Sequence, residues 1–156
     1  MLFTLDILIL IDSKFGQKLS NMGLRILVAE DNKFTAMQYQ KILENNGHTV
    51  IITSDGNECV KKYADALSSS EFDSIDSHPF DLVLLDHNMP KKSGTKAAKE
   101  ILSKKPNQKI LFASGYLRSL IEDQTGEKLL GKLDIIEKPF SLNMLLRKID
   151  SMSRKK

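Results

Sequence analysis

Five short apolar runs alternate along the chain with longer segments whose apolar residues recur at helical spacing. The runs are RILVAE, HTVIIT, DLVLLD, KILFAS and DIIE. Each run is too short for a helix, and its apolar and branched residues are typical of a buried strand. Strands that are apolar throughout must be covered on both faces, and a sheet covered by helices on both faces is parallel. The alternation therefore predicts an α/β fold, a doubly wound sheet of five parallel strands with five helices.

The predicted helices differ in how clearly they are marked. The fourth, YLRSLIEDQTGEKLLGKL, carries Gly126 near its middle, where glycine costs about 1 kcal/mol relative to alanine, so a short or broken helix is expected. The other four are predicted in the segments NKFTAMQYQKILENNG, NECVKKYADAL, GTKAAKEIL and SLNMLLRKID. In three of these the inward-facing positions are clear: Ala36, Tyr39, Ile42 and Leu43; Ala97, Ala98, Ile101 and Leu102; Leu142, Leu145, Leu146 and Ile149.

Composition limits the class of protein. A chain of 156 residues with 41% hydrophobic and 28% charged residues suits one ordinary globular domain. Cys59 is the single cysteine, so an internal disulfide is excluded and the cytoplasm is the expected location. The net charge of +3, from 23 basic and 20 acidic residues, is too balanced to indicate a nucleic-acid partner.

The boundaries of the domain follow from shifts in composition. Residues 23–156 are predicted to form the domain, with a longer Ser-rich and acidic loop at 68–79. Residues 1–22 are an N-terminal extension of uncertain structure: MLFTLDILILI lacks the basic start of a signal peptide and is too short to span a membrane. The extension either precedes the domain passively, with Met22 as an alternative start, or docks on the domain or on a second copy, so a homodimer stays open.

Charged or hydroxyl side chains stand at the carboxyl ends of several of the predicted strands. Glu30 and Asp31 follow the first strand and Asp86 ends the third, while Ser114 ends the fourth and Lys138 follows the fifth. The carboxyl ends of parallel strands share one edge of the sheet, where ligands bind. Two carboxylates about 4 Å apart repel by roughly 4 kcal/mol at an effective dielectric near 20, so a cation is expected among them. Oxygen ligands favour Mg²⁺.

A metal, a lysine and a hydroxyl around one aspartate suit the transfer of a phosphoryl group onto that aspartate. The segments ILVAEDN, LVLLDHNMP, ILFASG and EKPF, in this order and spacing, resemble the CheY-like receiver domain of two-component response regulators. The resemblance covers about residues 24–152. It implies the flavodoxin-like strand order 2-1-3-4-5.

The resemblance also implies a role for each matching residue. Asp86 would be the phosphoacceptor, and Asp86, Asp31 and the backbone carbonyl of Asn88 would ligate Mg²⁺, with Glu30 acting through a metal-bound water. Ser114 would be the hydroxyl that reaches the phosphoryl group. Lys138 would pair with the phosphate, ahead of a cis peptide bond to Pro139.

The implied function is that of a stand-alone receiver, a switch and not an enzyme. A sensor histidine kinase or a phosphotransfer protein would supply the phosphoryl group. A downstream effector protein would bind the face made by the fourth helix, fifth strand and fifth helix, since no output domain is expected after residue 152. Neither a membrane nor a nucleic acid is an expected partner. Ile135 departs from the family pattern, which usually has an aromatic residue there that turns inward on activation.

Two other functions fit parts of the same sequence. A phosphatase of the haloacid-dehalogenase type also uses an aspartate at a strand tip, but it needs a second aspartate at the position of Asn88, and an amide cannot transfer the proton. A degenerate receiver would act as an interaction module independent of phosphorylation; the absent aromatic at Ile135 favours it, whereas the retained acidic residues and Lys138 oppose it.

Overall fold

The computed structural model describes residues 23–69, 72–115 and 133–155. The strands are β1 (Arg25–Ala29), β2 (Thr49–Thr53), β3 (Leu82–Asp86), β4 (Ile110–Ser114) and β5 (Asp134–Glu137). The helices within the described ranges are α1 (Lys33–Asn45), α2 (Gly56–Leu67), α3 (Gly94–Lys104) and α4 (Leu142–Arg154). The predicted fourth helix, 116–133, lies outside the described residues apart from its last position, so the predicted fifth helix is α4. None of the helices in the described ranges is long and apolar enough to cross a membrane.

The strands form one parallel sheet in the order β2-β1-β3-β4-β5. This confirms the doubly wound, flavodoxin-like fold. From β1 the chain passes first to β2 on one side and then to β3 on the other, so the strand order reverses between β1 and β3. The crevice at the carboxyl ends of these two strands is where this class of sheet binds ligands.

Successive residues of each strand point to opposite faces and enter two separate cores. Strand β3 shows this most clearly, because all five of its residues are buried. On one face, strand residues pack with α2 and α3: Leu27, Val83, Leu85 and Phe112 with Cys59, Tyr63, Ala97, Ala98 and Ile101. On the other face, they pack with α1 and α4: Ile26, Val28, Leu84 and Leu111 with Tyr39, Leu43, Leu145, Ile149 and Met152.

Each helix begins at a polar residue that caps it. Asn32, Asp55, Ser93 and Ser141 each accept a hydrogen bond from the backbone N–H three residues later. Such a cap satisfies one of the N–H groups that a helix start leaves unpaired. The caps of α1 and α4 stand three and four residues beyond the ends of β1 and β5. Short capped connections therefore hold the residues at this edge of the sheet.

The connection from α2 to β3 is the long loop predicted at 68–79. Its described part is tied to the end of α3 by the buried Lys105, whose Nζ donates to the carbonyls of Phe72 (2.7 Å) and Ser74 (2.6 Å). Within α2, which precedes the loop, the buried Tyr63 hydroxyl donates to Gln108 Oε1 at 2.7 Å. The Lys105 ammonium group thus holds the described part of the loop against the end of α3.

Candidate metal and phosphoryl site

Three carboxylates meet at the carboxyl ends of β1 and β3. Glu30 and Asp31 follow β1, and Asp86 is the last residue of β3. One oxygen from each lies within 4.8 Å of the others. Glu30 and Asp86 are 3% and 9% exposed, whereas Asp31 is an exposed residue. The convergence expected from the parallel sheet is therefore present in the structure.

Lys138 brings a positive charge to this cluster from the turn between β5 and α4. Its Nζ lies 3.4 Å from Glu30 Oε2 and 3.5 Å from Asp86 Oδ1. Its backbone N–H donates to the Ser114 carbonyl at 2.8 Å, which fixes the turn against the end of β4. The bond from Lys138 to Pro139 is cis, as the family resemblance implied. The Lys138 ammonium group thus forms ion pairs with two buried carboxylates.

The charges in the cluster are not balanced. Burial raises the pKa of Asp86, and the nearby Asp31 adds to this effect, while Lys138 and the N–H of Asn88 oppose it. Burial also raises the pKa of Glu30, against the opposing effects of the Asn32 N–H and Lys138. In both cases the desolvation of the anion outweighs the lysine, so the ionised site favours a further cation.

The remaining predicted site residues border the cluster. Asn88 is exposed, and its N–H donates to Asp86 Oδ1 at 3.4 Å. Ser114 ends β4, is 2% exposed, and follows Ala113, the register partner of Asp86. The Glu30 side chain is held by the N–H of Asn32 at 3.0 Å. Clustered carboxylate oxygens with an exposed side are a donor set that fits Mg²⁺, a hard ion that retains several waters.

Several contacts around the site were not predicted from the sequence. Lys91 has a positive φ of 64° and its Nζ lies 2.9 Å from Asp55 Oδ2. Tyr39, predicted only as an inward-facing helix residue, stacks on Phe140 with ring centroids 6.0 Å apart. The pKa of Tyr39 is raised by burial and then by the charges of Glu30 and Asp86. The negative charges of Glu30 and Asp86 thus add to burial in disfavouring ionisation of the Tyr39 hydroxyl.

Comparison with known families identifies the class. A family model of the response regulator receiver domain matches residues 26–150. The chain therefore belongs to the receiver-domain family, as the resemblance in its strand-end motifs indicated. This match also counts against the haloacid-dehalogenase alternative.

Individual relatives agree with this assignment. The chain is 33% identical over 140 residues to the chemotaxis protein CheY of Treponema pallidum, covering 88% of each chain. It is 30% identical over 135 residues to the response regulator RR06 of Streptococcus pneumoniae, covering 85% of this chain but 54% of that one, so it spans about half of that relative. A CheX–CheY–BeF3–Mg²⁺ complex from Borrelia burgdorferi contains a similar fold, with a TM-score of 0.69, 25% identity, and coverage of 86% and 92%.

Proposed function

We propose that this receiver domain accepts a phosphoryl group on Asp86 in a Mg²⁺-dependent reaction and thereby changes its binding to a partner protein. The supporting observation is the position of Asp86: it ends the wholly buried strand β3 and lies beside two other carboxylates and Lys138. A rigid carboxylate among compensating charges is suited to phosphoryl transfer, which depends on alignment and charge neutralisation more than on acid-base groups.

In this proposal Asp31, Asp86 and the carbonyl of Asn88 hold Mg²⁺, and Glu30 holds it through a water. Bound there, the ion supplies positive charge to the oxygens of the incoming phosphoryl group. The CheY protein of Borrelia burgdorferi was crystallised with Mg²⁺ and BeF3, which is consistent with such a site in a relative of this chain.

Three side chains of the site would take part in the phosphoryl transfer. An oxygen of the Asp86 carboxylate attacks phosphorus and forms a P–O bond, while the P–N bond to the donor's phosphohistidine breaks and its electron pair returns to the imidazole. Lys138 Nζ, 3.5 Å from Asp86 Oδ1, is placed to pair with the transferred oxygens. The Ser114 hydroxyl at the neighbouring strand end is the second group proposed to contact them.

The phosphorylated state would act as a switch. The phosphoryl group adds about two negative charges and new hydrogen-bond acceptors at the edge of the sheet. A conformation in which Ser114 and Lys138 contact the group would then gain population. We propose that a histidine kinase or a phosphotransfer protein in the cytoplasm supplies the phosphoryl group. An effector protein would read the altered face, which includes β5 and α4.

The test is exposure of the metal-free protein to a small phosphodonor with and without Mg²⁺, followed by intact mass measurement. Wild type should gain one phosphoryl group only with Mg²⁺, and Asp86→Asn should gain none. Asp65→Asn is the matched control, since Asp65 is an exposed aspartate of α2 that pairs with Lys61. No adduct on wild type would refute phosphoacceptance, and an adduct persisting in Asp86→Asn would move the acceptor elsewhere.

The alternative is a degenerate receiver that binds its partner without phosphorylation. Ile135 favours it: this side chain is partly buried against the core shared with α2 and α3, and it has no ring to turn. The same mass measurement separates the two functions, because the degenerate receiver takes up no phosphoryl group under any of the conditions.

A further inference from the structure

The loop after Asp86, residues 87–93, has few apolar contacts to hold it. Asn88, Pro90 and Lys91 are exposed, and Met89 is only partly buried against the core. The N–H of Gly94, the first residue of α3, donates to the His87 carbonyl at 3.1 Å, and within the loop the Lys92 N–H donates to the Pro90 carbonyl at 2.7 Å. The first bond joins the loop to the start of α3, and Lys92 Nζ also pairs with the Glu100 carboxylate of that helix. The His87 N–H donates to the Ala113 carbonyl of β4 at 3.3 Å, so the loop is tied to β4 and α3 at its two ends.

An ion pair attaches the loop to α2. Lys91 Nζ lies 2.9 Å from Asp55 Oδ2, and the Asp55 side chain is 7% exposed. The other oxygen of Asp55 accepts the N–H of Glu58 at 2.9 Å and so caps α2. Because the helix start holds this carboxylate still, the lysine binds a fixed point, and its left-handed backbone (φ 64°) directs the loop toward it.

A second contact brings the same loop against the same helix end. A Cβ added to Gly56 would lie 2.3 Å from the carbonyl oxygen of Lys92, so the loop backbone passes directly over the first residue of α2. Two consecutive residues, Lys91 and Lys92, therefore meet α2 at its cap. Asn88 lies three residues before Lys91 in the same loop.

We infer that Lys91 and Asp55 form a positioning pair, which holds the 87–93 loop, and with it the Asn88 carbonyl, beside the proposed metal site, although neither side chain belongs to the proposed ligand set. This inference rests on the proposed function, since Asn88 is a metal ligand only within it. A positioning pair outside the ligand set is a further determinant of Mg²⁺ affinity in this chain.

Charge and position predict opposite effects for Lys91→Met. Removing a cation near an acidic cluster would strengthen Mg²⁺ binding if charge alone mattered. If the pair positions the 87–93 loop, breaking it should instead weaken Mg²⁺ binding by about two- to fivefold, the range expected for an ion pair with one exposed partner. Isothermal titration calorimetry with MgCl₂ on the metal-free protein measures the sign directly.

Further variants separate the pair from its individual charges. Asp55→Asn keeps a capping residue but loses the ion pair, and it should weaken binding similarly. The double variant should be no weaker than the poorer single one, because both remove the same interaction. Lys91→Arg should restore near-wild-type affinity. Lys61→Met is the matched control, since it breaks the 3.0 Å pair with Asp65 on the outer face of α2 and should leave affinity unchanged.

Hydrogen exchange of the metal-free protein gives a readout that needs no ion. Lys91→Met should speed exchange across residues 87–94, including the Gly94 amide, while Lys61→Met should not. Unchanged exchange, or Mg²⁺ affinity equal to or higher than that of wild type in Lys91→Met, would overturn the positioning role and leave the proposed function intact. Wild type that binds no Mg²⁺ would overturn both.

Discussion

Replacing Asp86 by asparagine should stabilise the metal-free protein, although it removes the central residue of the site. The Asp86 carboxylate is 9% exposed and has its oxygens among those of Glu30 and Asp31. Its pKa is raised by burial in spite of the nearby Lys138, so the ionised form is disfavoured in the folded chain. Asparagine keeps the shape and loses the charge.

The size of the effect follows from the distances. One oxygen each of Glu30 and Asp31 lies within 4.8 Å of an Asp86 oxygen, and two unit charges at that upper limit repel by about 3.5 kcal/mol at an effective dielectric near 20. At 3.5 Å, the attraction between Asp86 Oδ1 and Lys138 Nζ is about 4.7 kcal/mol at the same dielectric. Subtracting it from the two repulsions leaves a net repulsion of roughly 2 kcal/mol. Since Asp31 is exposed and screened, we expect Asp86→Asn to gain about 1–2 kcal/mol, or roughly 2–8 °C for a domain of this size.

The assay is thermal unfolding followed by circular dichroism in EDTA. Asp65→Asn, at a side chain 61% exposed, should stay within about 0.5 kcal/mol of wild type. Adding Mg²⁺ at ten times its dissociation constant should stabilise wild type by about 1.4 kcal/mol. The difference in melting temperature between wild type and Asp86→Asn should therefore become smaller. If Asp86→Asn melts at or below wild type in EDTA, the carboxylates do not oppose folding and the reasoning fails.

Three further predictions concern the same fold. The folded-state pKa values of Asp86 and Glu30 are raised, so their protonation stabilises the fold below the unfolded pKa, and this contribution is lost as pH rises through the folded pKa. Lowering the pH from about 7 to about 5 should therefore raise the urea midpoint of metal-free wild type. The rise should be smaller for Asp86→Asn, which lacks one of the two carboxyl groups. Lys109→Met should cost about 1–2 kcal/mol in urea unfolding, because Lys109 Nζ donates to two carbonyls at the end of α4, at 2.8 and 2.7 Å; no loss of stability would contradict this. Gly94→Ala should destabilise by about 2 kcal/mol or more, since its Cβ would lie 2.3 Å from the Asp86 carbonyl oxygen; a wild-type melting temperature would count against so close a contact.

The strands could be predicted closely because each is a continuous apolar run, including the edge strands β2 and β5, which are only partly buried. Strand β5 has the predicted bounds, Asp134–Glu137, and the other four begin or end within one residue of them. Helix α4 continues to Arg154, beyond the predicted end at residue 150. The extension SMSR is polar except for Met152, which is three residues after Ile149 and buried on the same face. One apolar residue in a polar segment is too weak a signal to extend a helix.

The acidic cluster could be predicted because topology forces it. Glu30, Asp86 and Lys138 stand at strand ends, and parallel strands bring those ends to one edge. The pair of Lys91 and Asp55 could not be predicted, because both residues lie in connections and no periodicity relates them. A lysine with positive φ also has no sequence signature, since such backbone is usually marked by glycine, asparagine or aspartate.

The electrostatic repulsion at Asp86 and the burial of strand β3 have the same structural cause. The strand fixes Asp86 because both its faces are packed, and the same packing removes the water that would otherwise solvate the carboxylate. A repulsion of roughly 2 kcal/mol is a sizeable part of the 5–15 kcal/mol that stabilises a typical domain. In the proposed function, a cation or phosphoryl group bound at Asp86 would change this balance and would favour any conformation that binds it more tightly. In that proposal, the electrostatic imbalance at this edge of the sheet would be the physical basis on which the domain responds to occupancy of the site.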